Sequence, residues 1–228
     1  MTDKRCVVLF VKLPEKGRVK SRLSQHLDED LVLRLYESMV LDTIDMLTRG
    51  RFPFQICFTP SGARDQMLEW LGHEHLLVPQ TGDDLGDRME EAFACVFSGD
   101  VEEALLIGSD IPGLTTDVIN EAFNALLTND AVIGPADDGG YYLIGFRKKT
   151  FEPGIFHDMV WSTRTVFRET VGKLHGASLT VHVLPELTDV DTVEDLKTLM
   201  SQVTGPASGI SRTRSFLEQC CKVILRSS

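Results

Sequence analysis

The 228-residue chain has no apolar stretch approaching the roughly 20 residues that span a bilayer. Its first residues, MTDKRCVVLFVKLPEKG, are basic and then apolar, like the start of a signal peptide. The apolar run Cys6–Val11 is too short for that, however, and Lys12 ends it. Cysteine is sparse: five residues, odd in number, with no C-x-x-C pair and no spacing that reads as a disulfide framework. A reducing cytoplasm is therefore the expected compartment. Basic residues are outnumbered, 23 Lys and Arg against 34 Asp and Glu, and the net charge is −11. A surface that acidic repels nucleic acid and anionic membranes, so neither is an expected partner. The spacings G-x-x-x-x-G-K-[ST] and G-x-G-x-x-G are both absent, which excludes a Walker loop and the dinucleotide fingerprint. No G-x-S-x-G is present to supply a hydrolase nucleophile. The six histidines show no metal-binding spacing.

What is present alternates. Short β-rich runs, 6–12, 54–59, 76–79, 104–108, 131–134, 141–146 and 179–184, are interleaved with helical periodicities over 28–47, 64–71, 84–97, 115–127, 162–174 and 192–200. In the first helix Leu31, Leu35, Met39, Thr43 and Met46 recur at three- and four-residue steps. This order predicts an α/β protein, a three-layer α/β/α sandwich with a mostly parallel mixed sheet. Residues 1–204 are expected to form one domain. Residues 205–228 are expected to be a linker, GPASGIS, and an amphipathic helical tail that docks on the domain or on a partner subunit, with a homodimer left open. Ligands of open α/β sheets lie beyond the carboxyl ends of the strands. That rule directs attention to the segments that follow them.

The first such segment, Lys12 to Arg22, carries five positive charges and one negative charge. Gly17 permits close backbone approach, and Lys12, Arg18, Lys20 and Arg22 are donors suited to a diphosphate or triphosphate. A charge run is usually a solvated loop, but in so acidic a chain the balance favours phosphate binding. Asp110, just past the apolar run ALLIG, either ligates a divalent metal such as Mg²⁺ or caps the turn toward Thr115. Asp189 and Asp191, spaced i and i+2, face one way in an extended segment and would share a metal. The alternative makes Asp191 or Thr192, with Glu194 and Asp195, an ordinary helix start. Asp138, Gly139, Gly140 and Tyr141 either contact an acceptor or form a plain hairpin turn. The stretch from Gln80 to Arg88, with Gly82, Leu85 and Gly86, either approaches a base or ribose or is a strand–helix turn.

Taken together, FVKLPEKGRVKSRL, QTGDDLGDRM, LLIGSDIPGL, IGPADDGGYYLIG, VWST and LTDVDTVEDL keep one order from Phe10 to Leu196. They resemble a bacterial family assigned to the glycosyltransferases of the type A fold, some of them called radical-SAM/selenodomain-associated transferases. The resemblance implies the nucleotide-diphospho-sugar transferase fold. It implies phosphate binding by Gly17, Arg18, Lys20 and Arg22, and nucleotide contact from Gln80, Gly82, Leu85 and Gly86. It implies metal ligation by Asp110 with Asp189 or Asp191. The DGGYY stretch, Asp138 to Tyr142, and Trp161 of the VWST segment fall on the acceptor side. Ser21 stands where the family leads one to expect Thr, and the hydroxyl is kept. The implied activity is Mg²⁺- or Mn²⁺-dependent transfer of a sugar from a nucleoside diphosphate sugar to a small-molecule acceptor, with Asp110, Lys20 and Arg22 at the chemistry. The same superfamily holds nucleotidyltransferases, which release pyrophosphate from a nucleoside triphosphate. A non-catalytic nucleotide-binding module is the third reading.

Overall fold

A computed structural model describes residues 4–202 and 210–224. Strands β1 (Arg5–Lys12), β2 (Phe54–Thr59), β3 (Leu77–Pro79), β4 (Glu103–Ile107), β5 (Ala131–Pro135), β6 (Tyr141–Arg147) and β7 (Val181–Val183) form one sheet. Helices α1 (Glu29–Arg49), α2 (Arg64–Leu71), α3 (Leu85–Phe97), α4 (Thr116–Leu126), α5 (Val166–Gly176), α6 (Val193–Gln202) and α7 (Ser211–Ile224) accompany it. The strand order is β3-β2-β1-β4-β6-β5-β7. β6 runs antiparallel to both β4 and β5, and the remaining pairs are parallel. The mixed three-layer α/β architecture is the one the alternation predicts.

The period of two along β1 explains the two-sided core. Val7, Leu9 and Val11 enter the larger hydrophobic cluster, built with α1, α4, α6 and α7. Val8 enters the smaller one, built with α3 and the elements around Phe156. Aromatics are scarce, 7% of the chain, but they are not scattered. Phe93 meets Phe97, Phe146, Phe151 and Phe156 at centroid distances between 5.2 and 6.2 Å. Edge and offset ring pairs of this kind add about 0.5–1.5 kcal/mol each beyond area burial. This cluster fixes the second layer and with it the cleft wall carried by α3.

Several element ends shift by one or two residues, and two differences from the sequence reading change what a segment does. α5 starts at Val166 rather than near Ser162. Ser162 takes the left-handed conformation, φ 64°, and the Thr163 hydroxyl donates to the Val160 carbonyl, so these residues form a turn. Ser211, expected in the linker, is the first residue of α7, and residues 205–209 of that linker lie outside the described residues. The described tail docks on its own domain: Ile210, Phe216, Leu217, Cys220 and Ile224 are buried in the larger cluster. Among the described residues no helix is long and apolar enough to cross a membrane.

β1 is flanked by β2, which leads outward to β3, and by β4 on its other side. The chain order reverses direction there, and such a switch point opens a crevice at the carboxyl ends of the strands.

Candidate functional site

A cleft of about 580 Å³ opens over that switch point. Such a volume suits a small-molecule or nucleotide-sized ligand. Its floor is the ends of β1 and β4. Its basic wall is the loop after β1, where the five cations divide. Lys12, Arg18, Lys20 and Arg22 line the cleft. Lys16 pairs instead with Asp30, 2.6 Å away on the surface. Buried Leu13, Val19 and Leu23 pin the loop to the core between its charges.

Lys20 is the centre of the arrangement. Its Nζ donates to Asp110 Oδ2 at 2.6 Å and to Asp191 Oδ1 at 2.7 Å. Its backbone adopts φ 48°, a left-handed conformation that costs a non-glycine residue about 1 kcal/mol or more. Arg22 stands 3.5 Å from the other oxygen of Asp191. Burial alone pushes the Lys20 ammonium down, but the Asp110 and Asp191 carboxylates outweigh it and hold the group above the ordinary lysine value. Asp110 mirrors this: burial raises its carboxyl, and the Lys20 charge prevails and lowers it. Asp189 feels the Lys20 charge too, but more weakly than its own burial and the Asp191 carboxylate. Burial, then the Asp191 charge, pushes it up to about 7.

The tertiary structure separates the two readings of each acidic motif. Thr115 caps α4, accepting from the Val118 amide at 3.4 Å, so Asp110 does not serve as that cap. Thr192 and Asp195 form a reciprocal capping box: Asp195 accepts from the Asp191 and Thr192 amides, and its own amide donates to the Thr192 hydroxyl. The Asp191 side chain is thus left for Lys20. A backbone bond from the Val190 amide to the Asp110 carbonyl, 3.4 Å, holds the Asp189–Asp191 segment beside the end of β4. Asp138, by contrast, does act as a turn former: the Gly140 amide donates to its Oδ1 at 2.8 Å. It lines the cleft as well.

Gln80, Leu85, Asp138, Gly140, Tyr141 and Trp161 also line the cleft. The Gln80 side-chain Nε2 donates to the Cys57 carbonyl at 2.7 Å. Gly17, Gly82, Gly86 and Gly139 do not line it. Gly86 is backed against other groups: a Cβ there would come within 2.6 Å of the Phe156 carbonyl and 2.8 Å of the Trp161 ring. Gly139, at φ 93°, lies against the backbone of Arg164. Both serve close packing behind the cleft wall.

Tyr36 and Ser109, which no motif in the sequence singles out, also line the cleft, as does Arg88 at the end of the Gln80 stretch. Tyr36 accepts from the Lys12 amide at 2.8 Å and donates to the Lys12 carbonyl at 3.1 Å. Burial pushes its phenol up to about 12, opposed by hydrogen bonds with Ser109 and the Lys12 backbone. It thus holds the root of the basic loop to α1. In the sequence Tyr36 sits within the apolar periodicity of α1 and reads as core.

Among the described residues, no three His, Cys, Asp or Glu side chains are gathered to hold a metal ion as they stand. The donors nevertheless suit a hard divalent cation. The Asp110 and Asp191 oxygens converge on one positive charge, and Asp189 lines the same cleft.

The sheet order and this cleft define a protein of the nucleotide-diphospho-sugar transferase fold. The chain belongs to the family described as "uncharacterized protein conserved in bacteria" (DUF2064), whose model matches residues 43–163. A search of curated proteins found no match. A solved structure from Desulfovibrio desulfuricans, provisionally described as a nucleotide-diphospho-sugar transferase, is 37% identical, covers 99% of each chain and has a TM-score of 0.95. At 12% identity the chain is similar in fold to a 4-diphosphocytidyl-2C-methyl-D-erythritol synthase from Anaerococcus prevotii, with a TM-score of 0.58 over 89% of this chain and 100% of that one. At 17% identity it is similar in fold to a Mycobacterium tuberculosis protein solved in complex with manganese, with a TM-score of 0.53 over 88% and 100%.

Proposed function

We propose that the protein is a transferase that takes a nucleoside polyphosphate or nucleoside diphosphate sugar together with Mg²⁺ or Mn²⁺. The observation that carries this reading is the meeting of Lys12, Arg18, Lys20 and Arg22 with Asp110 and Asp191 in one cleft at the switch point. Four cations opposite carboxylates have no packing purpose at a strand end. They match a ligand that carries several negative charges and its own metal. The 37% identical relative supports sugar transfer from a nucleoside diphosphate as the first reading.

In this reading Lys12 and Arg18 hold the outer phosphates, and Lys20 and Arg22 stabilise the charge that develops on the leaving diphosphate. Asp110, with Asp191 or Asp189, would hold the divalent cation. When bound, that ion supplies Lewis-acid neutralisation of the phosphate oxygens. The side of the cleft lined by Asp138, Tyr141 and Trp161 receives the acceptor. The density of positive charge supports a second reading, nucleotidyl transfer, since a triphosphate carries more charge than a diphosphate.

A thermal-shift panel of nucleotides and nucleotide sugars with Mg²⁺ or Mn²⁺ tests the proposal, because a ligand of the folded state alone raises the melting temperature. No shift with any of them would remove both readings. With a binding ligand in hand, pyrophosphate release from a triphosphate and a phosphorylated acceptor would exclude sugar transfer. Release of a nucleoside diphosphate from a nucleotide sugar would exclude nucleotidyl transfer.

A further inference from the structure

Of the basic residues in the loop, Lys20 stands apart by burial. Its side chain is 4% exposed, against 63% for Arg22. It also contacts both carboxylates at short range while its backbone is held left-handed. A surface lysine gains little from such a fixed pose. Here the pose has a clear electrostatic cause: Asp110 and Asp191 are drawn together by the Asp110–Val190 backbone contact, and without a cation between them they would repel in a partly desolvated site.

We propose that Lys20 is the resident counter-ion of the ligand-free protein, and that it couples divalent-cation binding to polyphosphate binding by exchanging one anionic partner for another. The inference rests on the reading that the acidic residues hold a cation and the loop holds phosphates. Nζ at 2.6 and 2.7 Å from the two carboxylates stands where those same oxygens would direct a metal ion. An ion at ordinary metal–oxygen distance from both, about 2.1 Å for Mg²⁺, cannot share that position with the ammonium. One of the two must leave. The lysine is the mobile member: a compact charge on a four-carbon stem with three donors, able to turn to a phosphate while the carboxylates stay in place. A polyphosphate that draws Nζ away therefore opens the carboxylates to the metal. By reciprocity, a bound metal releases the ammonium for the polyphosphate. The metal alone must pay for displacing a paired charge, so it binds weakly.

The test is Mn²⁺ binding to the full chain, followed by electron paramagnetic resonance with no phosphate present. Lys20→Ala and Lys20→Gln are expected to bind Mn²⁺ about ten-fold more tightly than the wild type, within the usual range of coupling between sites. The glutamine variant keeps a polar group in the position should the alanine variant fold poorly. In the wild type, inorganic tripolyphosphate is expected to tighten Mn²⁺ binding after its own chelation of the ion is accounted for, and both variants should lose that enhancement. Equal or weaker Mn²⁺ affinity in the variants would overturn the proposal, whatever nucleotides do. A wild type that binds no polyphosphate, beside variants that gain Mn²⁺ affinity, would leave the counter-ion role standing and remove the phosphate role of the loop.

Discussion

Two carboxylates, Asp42 buried and Asp191 partly exposed, tie distant parts of this chain together, and they do it differently. Asp42, on α1, is 3% exposed and accepts the Arg212 and Thr213 amides at 3.0 and 2.8 Å. It caps the amino end of α7 from another helix, across 171 residues of sequence to Thr213. Asp191 binds Lys20 across the same separation, 171 residues. Asp42 is satisfied by backbone donors that cannot leave without undoing the helix. Asp191 is satisfied by a side chain that can. The first is a fastening and the second is an exchangeable pair, and the charges alone do not distinguish them. The donor type does.

Substitutions sharpen or break that contrast. The largest effect is expected at Asp110→Asn: turnover of the identified substrate should fall by about 100-fold or more, the scale seen when one transition-state electrostatic partner is removed, with the far-UV circular dichroism unchanged. Retained turnover would make Asp110 a structural residue of the Asp42 kind. Next is Asp42→Ala. It strands two amides at a buried helix start and should cost about 2 kcal/mol in urea unfolding. Nucleotide affinity should stay within about two-fold, because the site is not touched. A large loss of affinity would show that the tail and the cleft are coupled. Tyr36→Phe should be milder, about 1 kcal/mol, with nucleotide affinity several-fold weaker because the root of the basic loop loses both its hydrogen bonds to the Tyr36 hydroxyl.

The smallest effect is expected at Asp130, just before β5, where the side chain is 20% exposed. Hydrogen bonds from the Thr180 amide and hydroxyl lower its carboxyl below the ordinary value, with Arg147 adding to them. A lowered folded-state value means that the stabilisation is present above the ordinary carboxylate range and is lost as pH falls through it. Asp130→Asn should therefore cost less than about 1 kcal/mol at pH 7, and the difference from wild type should vanish in acid. Urea melts at the two pH values check this. A cost that persists in acid would mean that the hydrogen-bond geometry, and not the charge, matters there.

The strands, the alternation and most helix boundaries were legible in the sequence, because burial on a two- or 3.6-residue period leaves a direct mark. β2 and α2 have the expected bounds, Phe54–Thr59 and Arg64–Leu71. α5 was misread because Ser162 and Thr163 look like a helix start, while the left-handed turn at Ser162 delays it. Tyr36 was invisible as a site residue, since a tyrosine inside an apolar stripe reports burial and not what its hydroxyl reaches. Gly86 and Gly139 carried the signal of a ligand loop, but their missing side chains make room for Trp161 and the backbone of Arg164.

The class of fold and the unusual charge of the segment after β1 can be read from the residues alone, because both are local: period and composition act within a few residues. The sequence also offered Asp110, Asp189 and Asp191 without ranking them, since an aspartate before a helix is equally a cap and a ligand. The packed structure takes the cap role away from both Asp110 and Asp191. Thr115, and Thr192 with Asp195, satisfy the helix ends and release Asp110 and Asp191 to meet Lys20. That meeting joins residues 90 and 171 positions apart. No local pattern encodes it, because the energy that places them belongs to the packed sheet beneath.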